Sequence, residues 1–398
     1  MTSNPELPLQ GITVLELTQN VMGPTCGLIL ADMGADVIRI EKTDGDDTRR
    51  LKGFARGFYG FYNRNKKSLC LDLKSDEGKG IVRDLVKEAD VFIENFAPGT
   101  IERLGFGYET VREINPAVIF CSMKGFMKGP YEKRAALDEV VQMMSGLAYM
   151  TGPRNKPLRA GASVVDVMGG TYAALGIITA LYQRQVTGAG TYVVSTLFES
   201  AAFLMGQHMA NEAITGVPVP PMPERGRAWS IYDLFTSSEG DRIFIGITSD
   251  RHWQRFCRAF GFDDLCGNEK LATNNSRLDE REWLIVELEN RVEELPLDEI
   301  LKRCEEAEIP YGKVSKPGDL FDDPQMNAEG NLVETELEGG IKAKLPSLPL
   351  RIGSWRQCDK GAPPRINEGA SDILRRIGID GKRAEELRDA GILAPLED

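Results

Sequence analysis

Histidine is nearly absent from this 398-residue chain, which carries only His208 and His252. That scarcity excludes multi-histidine metal ligation, and neither residue sits in a pattern that would serve a Ser-His-Asp triad or a histidine base. The seven cysteines (Cys26, Cys70, Cys121, Cys257, Cys266, Cys304 and Cys358) are odd in number, scattered and without a CxxC pair. A disulfide framework or zinc knuckle is thereby excluded, and they read as reduced, mostly core thiols. No apolar run approaches the roughly 20 residues of a membrane span, and Met1–Leu9 lacks the basic and apolar regions of a secretory leader. The expectation is a cytoplasmic protein without a membrane partner. Forty-eight Lys and Arg against 60 Asp and Glu give a net charge of -12, which opposes a nucleic-acid partner and leaves room only for local basic pockets. GxGxxG, GxxxxGK[ST], GxSxG and HExxH are all missing, removing the usual signatures of dinucleotide, P-loop, serine-hydrolase and zincin chemistry.

What is present is globular: 42% hydrophobic and 27% charged residues, enough to bury a large core in one domain or two. Short apolar runs alternate with helical patterns. Ile12–Leu17, Asp36–Glu41, Val91–Ile93, Ala117–Ser122 and Thr191–Ser195 read as strands, and Ser75–Glu88 and Gly169–Arg184 as helices. Strands separated in this way form βαβ units, so the fold class is α/β with a Rossmann-like parallel sheet in the large domain. The proline-rich Gly216–Pro223 interrupts regular structure. Beyond it, strands at Ser230–Phe235 and Arg242–Thr248 and helices near Arg251–Phe260, Asp279–Glu293 and Leu297–Ala307 describe a smaller α+β domain. The predicted organisation is a large domain over 1–200, a linker over 201–225, a small domain over 226–328 and a return to the large domain over 329–398.

With neither histidine in a catalytic motif and the usual signatures missing, the chemistry falls to carboxylates, amides and basic residues. Asp166 has the most unusual setting, inside Ala160-Gly-Ala-Ser-Val-Val-Asp-Val-Met-Gly-Gly-Thr-Tyr-Ala-Ala174, between an apolar run and a glycine-rich helix. A helix start stabilises an anion, and exposed amides there can receive an oxyanion. Aspartate is also a preferred N-cap, and spacing alone leans to that plainer role. Asp138 and Glu139, ahead of the helical pattern Val140–Leu147, carry the same ambiguity.

An ordered series of fragments then becomes recognisable. It runs through Gly11-Ile-Thr-Val-Leu-Glu-Leu-Thr18, Gly23-Pro24, Leu30-Ala-Asp-Met-Gly-Ala-Asp-Val-Ile-Arg-Ile-Glu-Lys42 and Gly45-Asp-Asp-Thr-Arg49. It continues through Asn63-Arg-Asn-Lys-Lys-Ser-Leu69, Leu71-Asp-Leu-Lys74, Glu94-Asn-Phe-Ala-Pro-Gly99, Arg103-Leu-Gly105 and Ser122-Met-Lys-Gly-Phe126. Gln142, Asp166, Thr187-Gly-Ala-Gly190 and Ile309-Pro-Tyr-Gly312 follow in order. The series resembles the family III (CaiB/BaiF) CoA-transferases and spans nearly the whole chain.

The resemblance implies an interlocked homodimer that moves coenzyme A from an acyl-CoA to a small carboxylic acid. Asp166 is implied as nucleophile, forming an aspartyl-CoA thioester, with no permanently bound cofactor and CoA as substrate. For CoA it points to Lys42, to Leu71 and Lys74, to Asn95, Phe96 and Ala97, and to Arg103 and Arg134. Arg225 and Arg227 suit the second carboxylate of a succinate-like dicarboxylate, with Asp138 as a further substrate-side candidate. Two alternatives stand beside this reading. An α-methylacyl-CoA racemase would carry a His-Asp pair where this chain has Leu137-Asp138, and a non-catalytic CoA-binding subunit of a heteromeric transferase would not need Asp166. The glycine run of formyl-CoA transferases is replaced by Pro223-Glu-Arg-Gly-Arg-Ala-Trp229, and a Gly-Glu-His-Thr-like stretch by Pro363-Pro-Arg-Ile-Asn-Glu-Gly-Ala370.

Overall fold

The computed structural model describes residues 7–224, 228–353, 355 and 361–395. The chain divides into two compact units, Arg225–Asp323 and the remainder on either side of it. In the larger unit the first half alternates β1 (Thr13–Leu17), α1 (Met22–Asp32), β2 (Asp36–Glu41), α2 (Phe58–Tyr62), β3 (Lys67–Cys70), α3 (Asp76–Glu88) and β4 (Val91–Glu94). It continues with α4 (Thr100–Leu104), α5 (Tyr108–Ile114), β5 (Ile119–Lys124), α6 (Asp138–Met144), α7 (Leu147–Thr151), α8 (Val164–Thr187), β6 (Thr191–Thr196) and α9 (Leu197–Thr215).

The six strands form one parallel sheet in the order β3-β2-β1-β4-β5-β6. Side chains alternate between its faces. Val14, Val37, Ile93, Ile119 and Cys121 pack with Cys26 and Leu30 of α1 and Ala173, Ala174 and Ile177 of α8. Leu15, Ile38, Leu69, Phe92 and Phe120 pack on the opposite face with Ile81, Val82 and Leu85 of α3. With both faces covered, the strands read as nearly continuous apolar runs, as buried parallel strands do.

The small residues of α8 explain how it docks. A Cβ on Gly170 would stand 2.5 Å from the Met22 carbonyl and 2.7 Å from Thr25 Cβ, so glycine lets α1 and α8 approach backbone to side chain. At 24 residues α8 is long and apolar enough to cross a bilayer by composition, yet Gly169, Gly170, Ala173, Ala174 and Ile177 are buried within this unit.

The expected linker differs in its first part. Residues 201–215 continue α9, which ends only where Gly216 takes a left-handed φ of 66°, ahead of the prolines. The smaller unit holds β7 (Ile231–Thr236), β8 (Arg242–Ile247), α10 (Asp250–Phe260), α11 (Asp263–Cys266), α12 (Asn274–Asp279), α13 (Arg281–Glu293), α14 (Leu297–Glu306) and β9 (Tyr311–Lys313). Its antiparallel sheet, β7-β8-β9, buries Ile231, Phe235, Ile243 and Ile245 with Trp253 and Phe256 of α10.

After Asp323 the chain is again part of the larger unit, as the hairpin β10 (Leu332–Leu337) and β11 (Ile341–Pro346), then α15 (Ala370–Arg376) and α16 (Gly381–Asp389). The altered motif before α15 anchors this tail to β3. Asn367 Oδ1 accepts the Cys70 N–H at 2.6 Å and its amide donates to the Ala394 carbonyl at 2.6 Å.

Candidate active site

Ligands of open parallel sheets gather outside the carboxyl ends of the strands, where the strand order reverses. Here the reversal lies between β1 and β4. Two loops leave the sheet there, Thr18–Asn20 and Asn95–Pro98, and they are tied reciprocally. The Gln19 N–H donates to Asn95 Oδ1 at 2.7 Å, and Asn95 Nδ2 donates to the Gln19 carbonyl at 2.8 Å. Asn20 is held at a φ of 61°, a left-handed conformation that asparagine tolerates better than most residues.

Two cavities open along this edge and share Gln19, Asn20 and Phe96. One, of about 460 Å³, lies over β2 and β3 and is lined by Lys42, Leu71 and Lys74 among others. The other, of about 370 Å³, lies over β4 and β5 and is lined by Asn95, Phe96, Ala97, Lys124, Arg134, Asp138 and Asp166. Arg103 is the exception among the expected CoA residues. It lines neither cavity and donates to Thr100 Oγ1 at 2.8 Å within its own helix. Arg225 and Arg227 fall outside the described residues.

Beneath the first cavity lies a buried ion-pair lattice. Arg39 bonds Glu16 and Asp46, each at 2.5 Å, and the Lys66 ammonium reaches Glu16 at 2.9 Å. These charges pair with one another, while Arg39 Nε is buried without a hydrogen-bond partner. Lys42, at the rim, is exposed and pairs with Asp47 at 2.7 Å and more loosely with Asp44 at 3.5 Å, so an incoming phosphate would compete with two carboxylates for it.

The Asn95–Ala97 loop is fixed from below. Glu94 is fully buried at the end of β4 and accepts from the Phe96 N–H at 3.0 Å and from Ser122 Oγ. Lys124, at the end of β5, donates to Glu94 at 2.8 Å and to the Phe96 carbonyl at 2.7 Å. Lys124 therefore enters the second cavity already neutralised.

Asp166 differs from its expected placement. It lies in the first turn of α8, three residues after the N-cap Ser163, and does not cap the helix. Ser163 makes no side-chain cap, and Asp138 supplies one from another helix: its Oδ2 accepts the N–H groups of Val165 at 2.9 Å and Asp166 at 3.1 Å. The Val164 and Val167 N–H groups are engaged by the Ala162 and Ser163 carbonyls. The amides that might have received an oxyanion at this helix start are thus occupied. Burial first, and then the nearby Asp138 charge, push the Asp166 carboxyl up to about 7, against a smaller opposing pull from Arg159. Tyr62, closing α2, senses the same pair: burial and then the charges of Asp166 and Asp138 raise its hydroxyl above the ordinary phenol value. Leu137, where a racemase-like pair would carry its histidine, is 66% exposed and offers no proton acceptor. Among the described residues no three His, Cys, Asp or Glu side chains converge as a metal site requires.

A helix-start carboxylate with raised basicity thus borders one of two adjoining cavities, the other rimmed by lysines. The model of CoA-transferase family III matches residues 9–370. The chain belongs to that family.

Among similar curated proteins, human succinyl-CoA:glutarate CoA-transferase is 31% identical over 394 residues, covering 97% of this chain and 90% of that protein. Succinate--glutarate CoA-transferase of Agrobacterium fabrum is also 31% identical, over 387 residues, covering 94% of this chain and 96% of that protein. A solved CaiB/BaiF family protein from Brucella suis superposes with a TM-score of 0.84 at 30% identity, over 93% of this chain and 99% of that one. As a family III CoA-transferase the protein acts on CoA thioesters, and the α/β expectation with its parallel sheet is met by the fold.

The residues of this CoA-transferase that sequence reasoning overlooked are Gln19, Asn20, Tyr62 and Lys124. Gln19-Asn20 carried a usable signal, because they directly follow an apolar strand where a carboxyl-end loop begins. Tyr62 carried none, since only the folded chain brings its hydroxyl under the influence of Asp166 and Asp138.

Proposed function

We propose that this CoA-transferase moves CoA from a dicarboxylyl-CoA such as succinyl-CoA to a second small dicarboxylate, through a thioester on Asp166. The observation that carries the reading is the placement of Asp166, with its raised basicity, in a cavity that shares Gln19, Asn20 and Phe96 as walls with the one bordered by Lys42 and Lys74. CoA lies with its phosphates toward Lys42 and Lys74, and its pantetheine arm crosses Phe96 and Ala97.

Ionised Asp166 attacks the thioester carbonyl, giving an aspartyl mixed anhydride and CoA thiolate. The thiolate attacks the aspartyl carbonyl, releasing the donor acid and leaving aspartyl-CoA. The acceptor carboxylate then attacks aspartyl-CoA, expelling the CoA thiolate and forming a second mixed anhydride, and the thiolate attacks its acceptor acyl carbon, releasing the Asp166 carboxylate. Each bond made to Asp166 is broken again, so no external base, metal or oxidant enters the balance.

The dicarboxylate preference rests on the glutarate- and succinate-using enzymes named above. Arg134 is the cation in the Asp166 cavity without a carboxylate partner among the described residues, its guanidinium lying 5.7 Å over the Tyr131 ring. We assign it to the second carboxylate of the acid in place of a CoA phosphate.

We also propose a cytoplasmic, interlocked homodimer. Tyr182 and Val186 on α8 and Phe203 and Ile214 on α9 are all more than 70% exposed in the single chain, and a second copy would cover such apolar side chains. The deciding assay incubates the enzyme with succinyl-CoA and a panel of dicarboxylates and monocarboxylates and follows the new acyl-CoA. Turnover with glutarate-like acids supports the reading, and no turnover with any dicarboxylate overturns it.

A further inference from the structure

Gln142 lies one helical turn after Asp138 on α6, is fully buried, and has no part in the reaction as drawn above. Both ends of its amide are used. Nε2 donates to Asp138 Oδ1 at 2.6 Å, and Oε1 accepts the Ala160 N–H at 2.9 Å. The other oxygen of Asp138 holds the Val165 and Asp166 N–H groups. One turn of α6 thus grips the segment 160–166 at both ends, at Ala160 through Gln142 and at Val165–Asp166 through Asp138.

Between those points lies a stretch with little else to fix it. Residues 160–163 form neither helix nor strand, Gly161 and Ala162 are exposed, and Ser163 makes no side-chain cap. The grip also dictates its own chemistry. The site needs a donor toward the Asp138 carboxylate and an acceptor toward the Ala160 N–H, separated by one side-chain length. Glutamine supplies both; ionised glutamate would set acceptor against acceptor, and leucine would supply neither.

We propose that Gln142 is a positioning residue for catalysis: it fixes the Asp138 carboxylate and the chain entering α8, and so holds Asp166 at attacking distance from the thioester carbonyl. This rests on the reading of Asp166 as nucleophile. Small errors in the placement of a reacting group cost rate without weakening binding elsewhere, so the signature is a loss in kcat with little change in KM for acyl-CoA.

The test compares Gln142→Leu, Gln142→Glu and Asp166→Asn with the wild type at pH 8, measuring kcat, KM for succinyl-CoA, the rate of aspartyl-thioester formation and the thermal midpoint. We expect Gln142→Leu to lose about 10- to 100-fold in kcat and in thioester formation, with KM changed less than about threefold. Gln142→Glu, which keeps the acceptor for Ala160 but sets a second acceptor against the Asp138 carboxylate, should also lose kcat with little change in KM; it carries the test if the leucine variant does not fold. Wild-type kcat in the variants, or kcat and KM worsening in parallel with melting, overturns the inference. Asp166→Asn separates the failures. If it turns over normally, the nucleophile reading falls and the positioning role with it. If it is dead while Gln142→Leu matches the wild type, only the positioning role falls.

Discussion

The carboxylate of Asp138 accepts the backbone N–H of Asp166 at 3.1 Å and, by its charge, helps to raise the Asp166 carboxyl to about 7. One residue thereby holds the backbone of Asp166, the proposed nucleophile, and raises its basicity.

Replacing Asp138 with Asn removes the charge and keeps one acceptor oxygen, enough for the Val165 and Asp166 N–H groups but not also for Gln142 Nε2. The proposed attack requires ionised Asp166, so activity should fall as pH drops through about 7. With the Asp138 charge gone and burial unchanged, the acid limb of the kcat/KM profile should move to lower pH. Asp138→Ala additionally leaves the Val165 and Asp166 N–H groups without their acceptor and should cost about 1–2 kcal/mol in denaturant unfolding.

The raised Asp166 carboxyl also makes a statement about stability. Its folded-state value of about 7 lies above the ordinary 3.8, so between those pH values the folded state binds the proton more tightly than the unfolded chain does. Stability attributed to this group is therefore complete below about pH 4 and is lost as pH rises through about 7. Asp166→Asn should match the wild type in unfolding free energy at pH 4 and exceed it at pH 8, by on the order of 1–3 kcal/mol. Calorimetry at the two pH values measures the difference.

Glycine contacts predict opposite signs at two positions. Gly170→Ala forces a Cβ to within 2.5 Å of the Met22 carbonyl and should destabilise by about 1–3 kcal/mol, lowering kcat as α8 shifts away from α1. Gly80→Ala, within α3 and with nothing inside 4 Å of the added carbon, should stabilise by about 0.5–1 kcal/mol without changing activity. Urea titrations of both variants read the signs directly.

Two loop residues test the division of the cavities. Asn95→Ala breaks the reciprocal bonds with Gln19 at the strand reversal and should raise KM for acyl-CoA more than it lowers kcat. Arg134→Gln should raise KM for dicarboxylate acceptors while leaving that for acyl-CoA near the wild-type value. The opposite pattern in initial-rate kinetics would return Arg134 to the CoA phosphates.

Much of this was legible in the sequence because the signals were local. Apolar runs became β1, β2, β4, β5 and β6 to within a residue or two, whereas the linker, expected from 201, begins only after α9 ends at Thr215. The start of α8 was not legible. Its pattern begins at Gly169, yet the helix begins at Val164, because the carboxylate that caps it comes from Asp138, 28 residues before Asp166. The same distance concealed the role of Asp138 itself. Its two oxygens are spent on Gln142, Val165 and Asp166, which the substrate-side expectation did not foresee. Likewise, nothing in Gln19 or Asn95 alone reveals a pair of bonds across the strand reversal, which exists only once β1 and β4 are neighbours.

The account turns on a covalent bond to Asp166, and trapping that bond tests it most directly. The enzyme is incubated with succinyl-CoA, quenched with hydroxylamine or borohydride, digested and analysed by mass spectrometry. The account predicts that the Asp166 peptide carries the hydroxamate or the reduced alcohol, and that Asp166→Asn carries neither and does not turn over. Full turnover with the Asp166 peptide unmodified would contradict it.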